Sequence, residues 1–232
     1  MSAPDVVFVV RPGDANHALR YALRSLQHVP HGRVWIAGYK PSWVKGVRYV
    51  PVPQRGTKYE NSTANLRAAC SHPDLSEEFL FWQDDVFLMR PVGSIGMYHR
   101  GPVAGVERYY ASRAHGMYLR GLRETRALLK RLGYPDPLSY ELHVPMPMRK
   151  TEVLKALDIG RNIRALHKRT LYGNLFGVGG TRMRDPKVVR LNEPVNTAAL
   201  FLSTMPQTFE HGKVGQYIRR SFPDASPYEG RR

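Results

Sequence analysis

FLFWQDDVFL, residues 79–88, is the stretch that decides the fold. It begins with the apolar run Phe79–Trp82, which predicts a buried strand, and Asp84 and Asp85 follow where that strand should end. In an α/β sheet, the carboxyl end of such a strand faces the ligand crevice. The chain becomes apolar again at once in Val86–Leu88, which leaves little room for a solvated loop. The segment therefore predicts a ligand site at the carboxyl edge of a parallel sheet.

The two adjacent acids indicate a site for a cation. Neighbouring carboxylates repel each other unless a cation or a hydrogen-bond donor neutralises them. A divalent metal that bridges a diphosphate does so, because hard cations prefer carboxylate and phosphate oxygens. The alternative is an acidic turn after a core strand, with Asp chosen for its turn chemistry. The apolar flanks favour the metal or nucleotide interpretation, with Asp84 and Asp85 as ligands of Mg²⁺ or Mn²⁺.

Strands and helices alternate through residues 1–90, in a rhythm typical of nucleotide-binding α/β sheets. Continuous apolar runs predict strands, and leucines three or four residues apart predict a helix after Asn16, which can cap it. We therefore predict an α/β fold whose central mixed, mostly parallel sheet is flanked by helices. The predicted strands before residue 79 are Asp5–Val10, Arg33–Gly38 and Val47–Val52, and a second helix is predicted over Asn61–Cys70.

The pattern loosens beyond Pro91. Val103–Tyr109 is predicted to be a strand, and Met117–Leu132 is predicted to be an amphipathic basic helix. Further helices are predicted near 151–157 and 213–221. The sequence contains no internal repeat, no Walker A loop and no GxGxxG motif, so phosphate binding through a glycine-rich loop is not expected.

Length and composition fit one globular domain, since the chain has 232 residues and is 42% hydrophobic. No apolar run approaches the roughly 20 residues of a membrane span. The first residues lack a basic region followed by an apolar one, so no signal peptide is predicted. Cys70 is the only cysteine and cannot form an internal disulfide. A cytoplasmic location is the expectation.

Charge is unevenly distributed along the chain. The net charge is +16, and residues 1–90 carry 11 basic and 8 acidic groups against 24 and 11 in residues 91–232. A field of this sign favours an anionic partner, such as a nucleotide diphosphate, a nucleic acid, an acidic glycan or a membrane surface. The alternative is a soluble, self-repelling surface without a specific partner. Because one nucleotide diphosphate does not need this excess of positive charge, we predict that a second, polyanionic molecule also binds. The residues expected along its path are Arg113, Arg120, Arg123 and Arg126.

Three further segments contain candidate site residues. Arg11–Asp14 follows the first strand, and its glycine would let the backbone approach a ligand, although these residues alone favour an ordinary βα turn. His143 lies in a proline-framed segment that should be rigid, where it could act as general base or metal ligand. Arg169 could clamp a diphosphate through its planar fork, the alternative being a solvated basic helix face.

Several of these segments, in order, resemble the conserved blocks of the Stealth proteins, sugar-phosphate transferases of bacterial capsule synthesis. The matching segments are Asn16–Leu26 for the first block, Asn61–Phe87 for the second, His143–Pro145 with Arg149 and Lys150 for the third, and Phe222–Glu229 for the C-terminal ending. Arg169 is the best match for the arginine of the third block, and Arg164 competes with it. Gln83 stands where the second block usually has asparagine, and an Asn-Asp pair of the last block is missing from Leu202–Met205.

The resemblance implies a GT-A-like fold and transfer of a sugar, or a sugar-1-phosphate, from a nucleotide-sugar to an acceptor hydroxyl. Asp84 and Asp85 would hold Mg²⁺ or Mn²⁺ on the diphosphate, with Asp85 also counted as catalytic. His143 would be the general base, and Arg169 would stabilise charge on the phosphates. The residues expected to bind the donor nucleotide are Arg11, Gly13, Asp14, Asn61 and Arg67.

The resemblance divides the single domain into two halves. Residues 1–90 would bind the nucleotide-sugar, and residues 91–232 would form the basic acceptor side with the catalytic residues. The chain also resembles small glycosyltransferase-like proteins of phages and actinobacteria, so an acceptor on modified DNA is one expectation and an acidic glycan is another. The competing hypothesis is a basic nucleic-acid-binding module on a degenerate, inactive transferase fold. Slow hydrolysis of the donor distinguishes the two, because a binding module would not hydrolyse it.

Overall fold

The computed structural model describes residues 3–112 and 116–230, so Arg113 of the predicted acceptor path lies outside the described residues. Within those ranges, strands and helices alternate up to residue 88, as predicted. The elements are, in chain order, β1 (Asp5–Val10), α1 (His17–Ser25), β2 (Val34–Gly38), β3 (Arg48–Pro51), α2 (Lys58–Cys70), β4 (Glu78–Gln83), β5 (Val86–Leu88), β6 (Tyr98–His99), α3 (Val103–Ala111), α4 (Met117–Arg131), β7 (Met146–Arg149), α5 (Lys150–Ile159), α6 (Lys168–Leu175), β8 (Thr181–Arg182), β9 (Lys187–Val188), β10 (Phe201–Thr204), α7 (Pro206–Glu210) and α8 (Lys213–Ser221).

The central sheet has the strand order β3-β2-β1-β4-β7. Its first four strands run parallel, with Phe8 beside Ile36 and Trp82, and β7 is antiparallel to β4. Parallel strands that are covered on both faces must be apolar throughout, which explains why the sequence shows continuous runs here. The predicted α/β fold with a mixed, mostly parallel sheet is therefore confirmed.

Side chains alternate between two cores along each central strand. Phe8 and Trp82 enter the core under α1 and α8, whereas Val7 and Phe81 enter the core under α2, α5 and α6. Successive side chains of a strand point to opposite faces, so one apolar run supplies both cores. The helices therefore cover both faces of the sheet, and its carboxyl edge is left for the loops that follow the parallel strands.

A second sheet has the strand order β5-β10-β9, and its first strand, β5, follows β4 of the central sheet directly in the chain. The turn at Asp84 and Asp85 joins β4 of the first sheet to β5 of the second. Thr204, at the end of β10, donates its backbone N–H to the Asp85 carbonyl over 3.3 Å. The two acids thus occupy the junction of the two sheets, where the backbone is fixed from both sides.

The prediction of a strand over Val103–Tyr109 is wrong, because α3 occupies this segment. Val103 and Val106 are three residues apart and lie on one helical face, which packs against Leu119 and Leu122 of α4. This spacing was available in the sequence, but β-branched residues favoured a strand. The helix predicted over Met117–Leu132 is confirmed as α4.

Helix α2 begins at Lys58 rather than at the predicted Asn61. The Thr57 hydroxyl accepts a hydrogen bond from the Glu60 backbone N–H, and the Thr57 backbone N–H donates to Glu60 Oε2. This capping box satisfies N–H groups at the helix start and extends the helix by one turn. The helices predicted near 151–157 and 213–221 are confirmed as α5 and α8. Among the described helices, none is both long and apolar enough to cross a membrane.

Candidate active site

The acid pair lies at the carboxyl edge of the central sheet, and each carboxylate has a donor of its own. Asn16, the N-cap residue of α1, donates Nδ2 to Asp84 Oδ2 over 2.7 Å. Lys187, on β9, places Nζ 2.7 Å from Asp85 Oδ2. Both acids are partly buried. Repulsion between the two charges is therefore relieved by one amide and one ammonium group.

Burial, followed by the neighbouring charge of Asp85, raises the pKa of Asp84 to about 6. The hydrogen bond from Asn16 and the positive charges of Arg11 and Lys187 act in the opposite direction and are too weak to cancel the rise. Asp84 is thus mostly ionised at neutral pH, at the expense of stability.

We expect Asp84→Asn to stabilise the protein at about pH 8 by about 1–2 kcal/mol. The folded-state pKa of about 6 lies above the ordinary 3.8, so the folded state binds the proton more tightly. Above about pH 6, the ionised carboxylate therefore lowers the free energy of unfolding. This loss of stability disappears below about pH 4, where Asp84 is protonated in the folded and the unfolded state. Urea unfolding at both pH values measures the difference.

Asp14→Asn is the matched control with the opposite sign. Hydrogen bonds from the Ser42 backbone and hydroxyl lower the pKa of Asp14, although burial acts slightly against them. Ionised Asp14 therefore contributes stability that is present above the unfolded pKa and is lost as the pH falls. A gain for Asp84→Asn of equal size at both pH values would contradict the assignment of its pKa.

His143 is held by a carboxylate that the sequence analysis did not single out. Its Nδ1 lies 3.0 and 3.1 Å from the two oxygens of Asp185. An ionised carboxylate only accepts hydrogen bonds, so Nδ1 donates to Asp185, and when the ring is neutral Nε2 has the free lone pair. Burial alone would raise the pKa of Asp185, but the hydrogen bond from His143 and the charges of His143 and Arg100 lower it. Asp185 therefore stays ionised and orients the ring.

Arg169 fixes the segment that carries His143. The side chain is buried, and Nη1 donates to the carbonyls of Leu142 and Val144 over 2.7 and 2.6 Å. These carbonyls flank His143 on either side. The guanidinium also lies 4.7 Å above the ring of Phe81. Burial lowers its pKa to about 10, so the group remains charged at neutral pH.

These contacts link the acid pair to the histidine. Arg169 Nη2 lies 3.5 Å from Oε1 of Gln83, the residue that precedes Asp84 in the chain. On the other side, the backbone N–H of Lys187 donates to Asp185 Oδ1 over 3.3 Å. The negative charges of Asp185 and Asp85 both act on the Arg169 guanidinium. Asp84, Asp85, His143 and Arg169 thus lie in one site, although they come from three separate segments of the chain.

The expected donor-binding residues are divided between this site and other places. Arg11 is exposed, and its charge acts on Asp84. Gly13 has a positive φ of 148°, and Asp14 binds the Ser42 backbone and hydroxyl, each over 2.8 Å. The loop after β1 is therefore tied to the loop after β2, at the edge of the sheet where the acids lie.

Asn61 and Arg67 have structural partners on α2. The Asn61 amide closes the loop before the helix through two 2.9 Å hydrogen bonds with the Gly56 backbone. Arg67 pairs with Asp158 at the end of α5 over 2.7 Å, and both side chains are exposed. Their contacts join neither residue to the acid pair.

Arg164, which competes with Arg169, and the described arginines of the predicted acceptor path all have acidic partners. The Arg164 side chain is 64% exposed and pairs with Glu60 over 2.9 Å, away from the His143 segment. On α4, Arg123 and Arg126 share Glu107, and Arg120 pairs with Glu124. These acids neutralise part of the charge that was expected along the acceptor path.

A cavity of about 530 Å³ opens at the carboxyl ends of β1, β2 and β3. Its lining residues are Pro12, Gly38, Tyr39, Tyr49, Pro51, Val52, Pro53 and Gln54. Tyr39 and Tyr49 contribute aromatic rings to the lining, and Arg11 directly precedes the lining residue Pro12. An apolar, aromatic cavity at this edge of a parallel sheet is the usual place for a nucleoside.

The donor atoms at the acid pair fit Mg²⁺ or Mn²⁺ only in combination with a ligand. Among the described residues, no group of three or more His, Cys, Asp or Glu side chains could hold a metal ion. Mg²⁺ is commonly bound by one or two carboxylates together with substrate phosphates and water. Asp84 and Asp85 would supply two carboxylates to such an arrangement.

Asp185 and Lys187 were not predicted as site residues, and Asn16 was predicted only as a helix cap. One signal was available for Asp185, because it is the only acid between Asp158 and Glu193 in a strongly basic stretch. An acid that stands alone among basic residues is a candidate for a buried partner. No comparable signal distinguishes Lys187 from the other basic residues near it.

No family model matches the chain, and no curated protein matches it. Among solved structures, it is similar to the galactosyltransferase LgtC in complex with donor and acceptor sugar analogs, with 12% identity, a TM-score of 0.54, and coverage of 95% of this chain and 96% of that chain. The apo bifunctional glycosyltransferase WbbM gives 14% identity, a TM-score of 0.48, and coverage of 96% and 44%. The apo glycosyltransferase GlyE of Streptococcus pneumoniae TIGR4 gives 11% identity, a TM-score of 0.47, and coverage of 95% of this chain and 60% of that chain. The likeness to LgtC confirms the predicted GT-A-like fold.

Proposed function

We propose that this protein transfers a sugar, or a sugar-1-phosphate, from a nucleotide-sugar to an acceptor hydroxyl. One observation carries the proposal. On a GT-A fold, the acid pair at the carboxyl end of β4 shares a site with the Asp185-oriented His143. A pair of acids beside an oriented base is suited to activating a hydroxyl next to a diphosphate. The resemblance to the Stealth proteins, which no family model matches in this chain, points to the same reaction class.

The donor would bind across the carboxyl edge of the sheet. The nucleoside would occupy the cavity of about 530 Å³, with Tyr39 and Tyr49 against the base. The diphosphate would extend past Arg11 to Asp84 and Asp85. A divalent cation, when bound there by the two acids, would neutralise charge on the diphosphate.

His143 would act as general base. Nε2 accepts the proton of the acceptor hydroxyl as its oxygen forms a bond to the anomeric carbon, or to the sugar-linked phosphorus, and the bond to the departing nucleotide breaks. Asp185 holds the ring and stabilises the imidazolium that forms. Arg169 holds the carbonyls on either side of His143, so its proposed role is positional as well as electrostatic.

A thermal-shift screen of nucleotide-sugars with and without Mn²⁺ tests the proposed function. A ligand that binds only the native state raises the melting temperature. We expect at least one nucleotide-sugar to do so, and Tyr39→Ala to weaken its binding by about 1–3 kcal/mol through the loss of base stacking. Tyr109→Ala is the control, because Tyr109 is an exposed tyrosine that does not line the cavity.

The screen also separates the alternatives. Slow release of free sugar from the bound donor would support a transferase, because transferases pass some sugar to water. If no nucleotide-sugar raises the melting temperature and duplex DNA does, the inactive nucleic-acid-binding module is the better description.

The acceptor, in this proposal, is polyanionic or attached to a polyanion. Residues 91–232 carry 24 basic and 11 acidic groups. On α4, Arg120, Arg123 and Arg126 are paired with glutamates, whereas the exposed Arg184 and Arg190 have no ion pair among the described residues and flank Asp185 and Lys187 in sequence. We therefore favour a path along 184–190 over the α4 path.

Binding to a polyanion should then be steeply salt-dependent. For duplex DNA or an acidic glycan at low salt, we expect Arg184→Ala with Arg190→Ala to reduce the slope of log K against log salt by about 2. Titrations at several salt concentrations measure this slope. Arg120→Ala with Arg123→Ala is the matched control and should change the slope less, because these arginines already have acidic partners. A slope that is near zero in the unsubstituted protein would favour a neutral acceptor.

A further inference from the structure

Lys187 is a basic residue that is held inside the site rather than on the surface around it. Its side chain is 17% exposed, and Nζ lies 2.7 Å from Asp85 Oδ2. The residue belongs to β9, which pairs in parallel with β10, so Lys187 lies beside Ser203. Because a strand places the ammonium group, the contact with Asp85 is built into the fold.

The contact occupies a carboxylate that was predicted to bind a metal. Asp85 is paired with an ammonium ion, and Asp84 Oδ2 already accepts from Asn16 over 2.7 Å. A divalent cation that reached Asp85 without a diphosphate would have to displace the ammonium or tolerate its repulsion at a few ångströms. A diphosphate changes this balance, because its oxygens bind both the ammonium and the metal.

We propose that Lys187 is the resident counter-ion of Asp85, which keeps a free divalent cation off the acid pair until the donor diphosphate arrives. With a metal and a diphosphate bound together, Asp85 would hold the metal and the Lys187 ammonium would pair with a phosphate oxygen instead. The identity of the diphosphate rests on the proposed transferase function, but the exclusion of the free metal does not. Metal binding is therefore ordered, with the donor first or together with the metal.

Binding of MnCl₂ alone, followed by calorimetry and by the electron paramagnetic resonance of free Mn²⁺, tests this inference without a donor. We expect weak binding to the unsubstituted protein and at least about tenfold tighter binding to Lys187→Met, since a positive charge next to the ion is removed. Lys187→Gln should behave in the same way and keeps a hydrogen-bond donor for Asp85, which guards against misfolding of the Met variant.

Lys213→Met is the matched control, because Lys213 is exposed and has no ion pair among the described residues. It should leave Mn²⁺ affinity unchanged. The double variant Asp85→Asn with Lys187→Gln should lose the gain, which assigns the new binding to Asp85. Unchanged affinity in both Lys187 variants, or an equal gain in Lys213→Met, would overturn the proposal. Neither outcome depends on transferase activity, so the proposed function is tested separately by the nucleotide-sugar screen.

Discussion

His143→Ala is expected to lower turnover about 100- to 10,000-fold while donor affinity stays nearly unchanged. A general base acts in the proton-transfer step, and groups of this kind typically contribute that range. The donor would be held by the cavity after β1–β3 and by the acid pair, and neither includes the imidazole. Single-turnover rates and the dissociation constant of the nucleotide-sugar, measured on the same variant, separate the two effects.

Arg169 and Arg164 provide the controls for this prediction. Arg169→Lys should also slow turnover, because one ammonium group cannot bind the carbonyls of Leu142 and Val144 and reach Gln83 Oε1 at the same time, as Nη1 and Nη2 of the guanidinium do. Arg164→Ala should leave turnover unchanged, since Arg164 is an exposed partner of Glu60. Normal turnover in His143→Ala would return the histidine to a structural role, and a loss in Arg164→Ala would make Arg164 the better match for the arginine of the third Stealth block.

Asp85→Asn is expected to lower turnover by about a thousandfold or more with the fold intact. Loss of this charge removes one of two carboxylates that would hold the cation, and such a cation is worth several kcal/mol to charge that develops on the diphosphate. The amide oxygen can still accept from Lys187, and the hydrogen bond from Thr204 uses the Asp85 backbone carbonyl. Circular dichroism and steady-state rates with added Mn²⁺ measure both parts.

The same rates measured with excess chelator give the independent check on Asp85. Chelation should reduce the activity of the unsubstituted protein to roughly the level of Asp85→Asn in Mn²⁺. Full activity in Asp85→Asn, or identical activity of the unsubstituted protein with and without chelator, would refute the metal role of the acid pair.

Local patterns in the sequence predicted the regular elements of the first ninety residues well. The apolar runs at Asp5–Val10 and Phe79–Trp82 became β1 and β4, because parallel strands buried on both faces must be apolar at every position. The prediction failed at Val103–Ala111, where α3 forms instead of a strand. There, β-branched residues were read as strand formers, and packing against α4 decided the outcome.

The candidate site was predictable only in part, for a comparable reason. Asp84 and Asp85 end a recognisable strand, and the prolines around His143 mark a rigid segment, so both could be found locally. Asp185 and Lys187 could not be found in this way. Their partners lie 42 and 102 positions away in the chain, and such contacts depend on how β9, β10 and β5 assemble into the second sheet.

The sequence by itself determined the α/β fold class, the place of the acid pair at the end of β4, and the basic character of residues 91–232. These properties depend on local apolar periodicity and on composition, which do not require knowledge of distant contacts. Only the tertiary structure decided which charges are compensated: Arg120 and Arg123 are paired, Arg169 is buried under His143, and Lys187 neutralises Asp85. The electrostatic effect of a charged group depends on its burial and on the partners within a few ångströms of it, and the fold alone determines both.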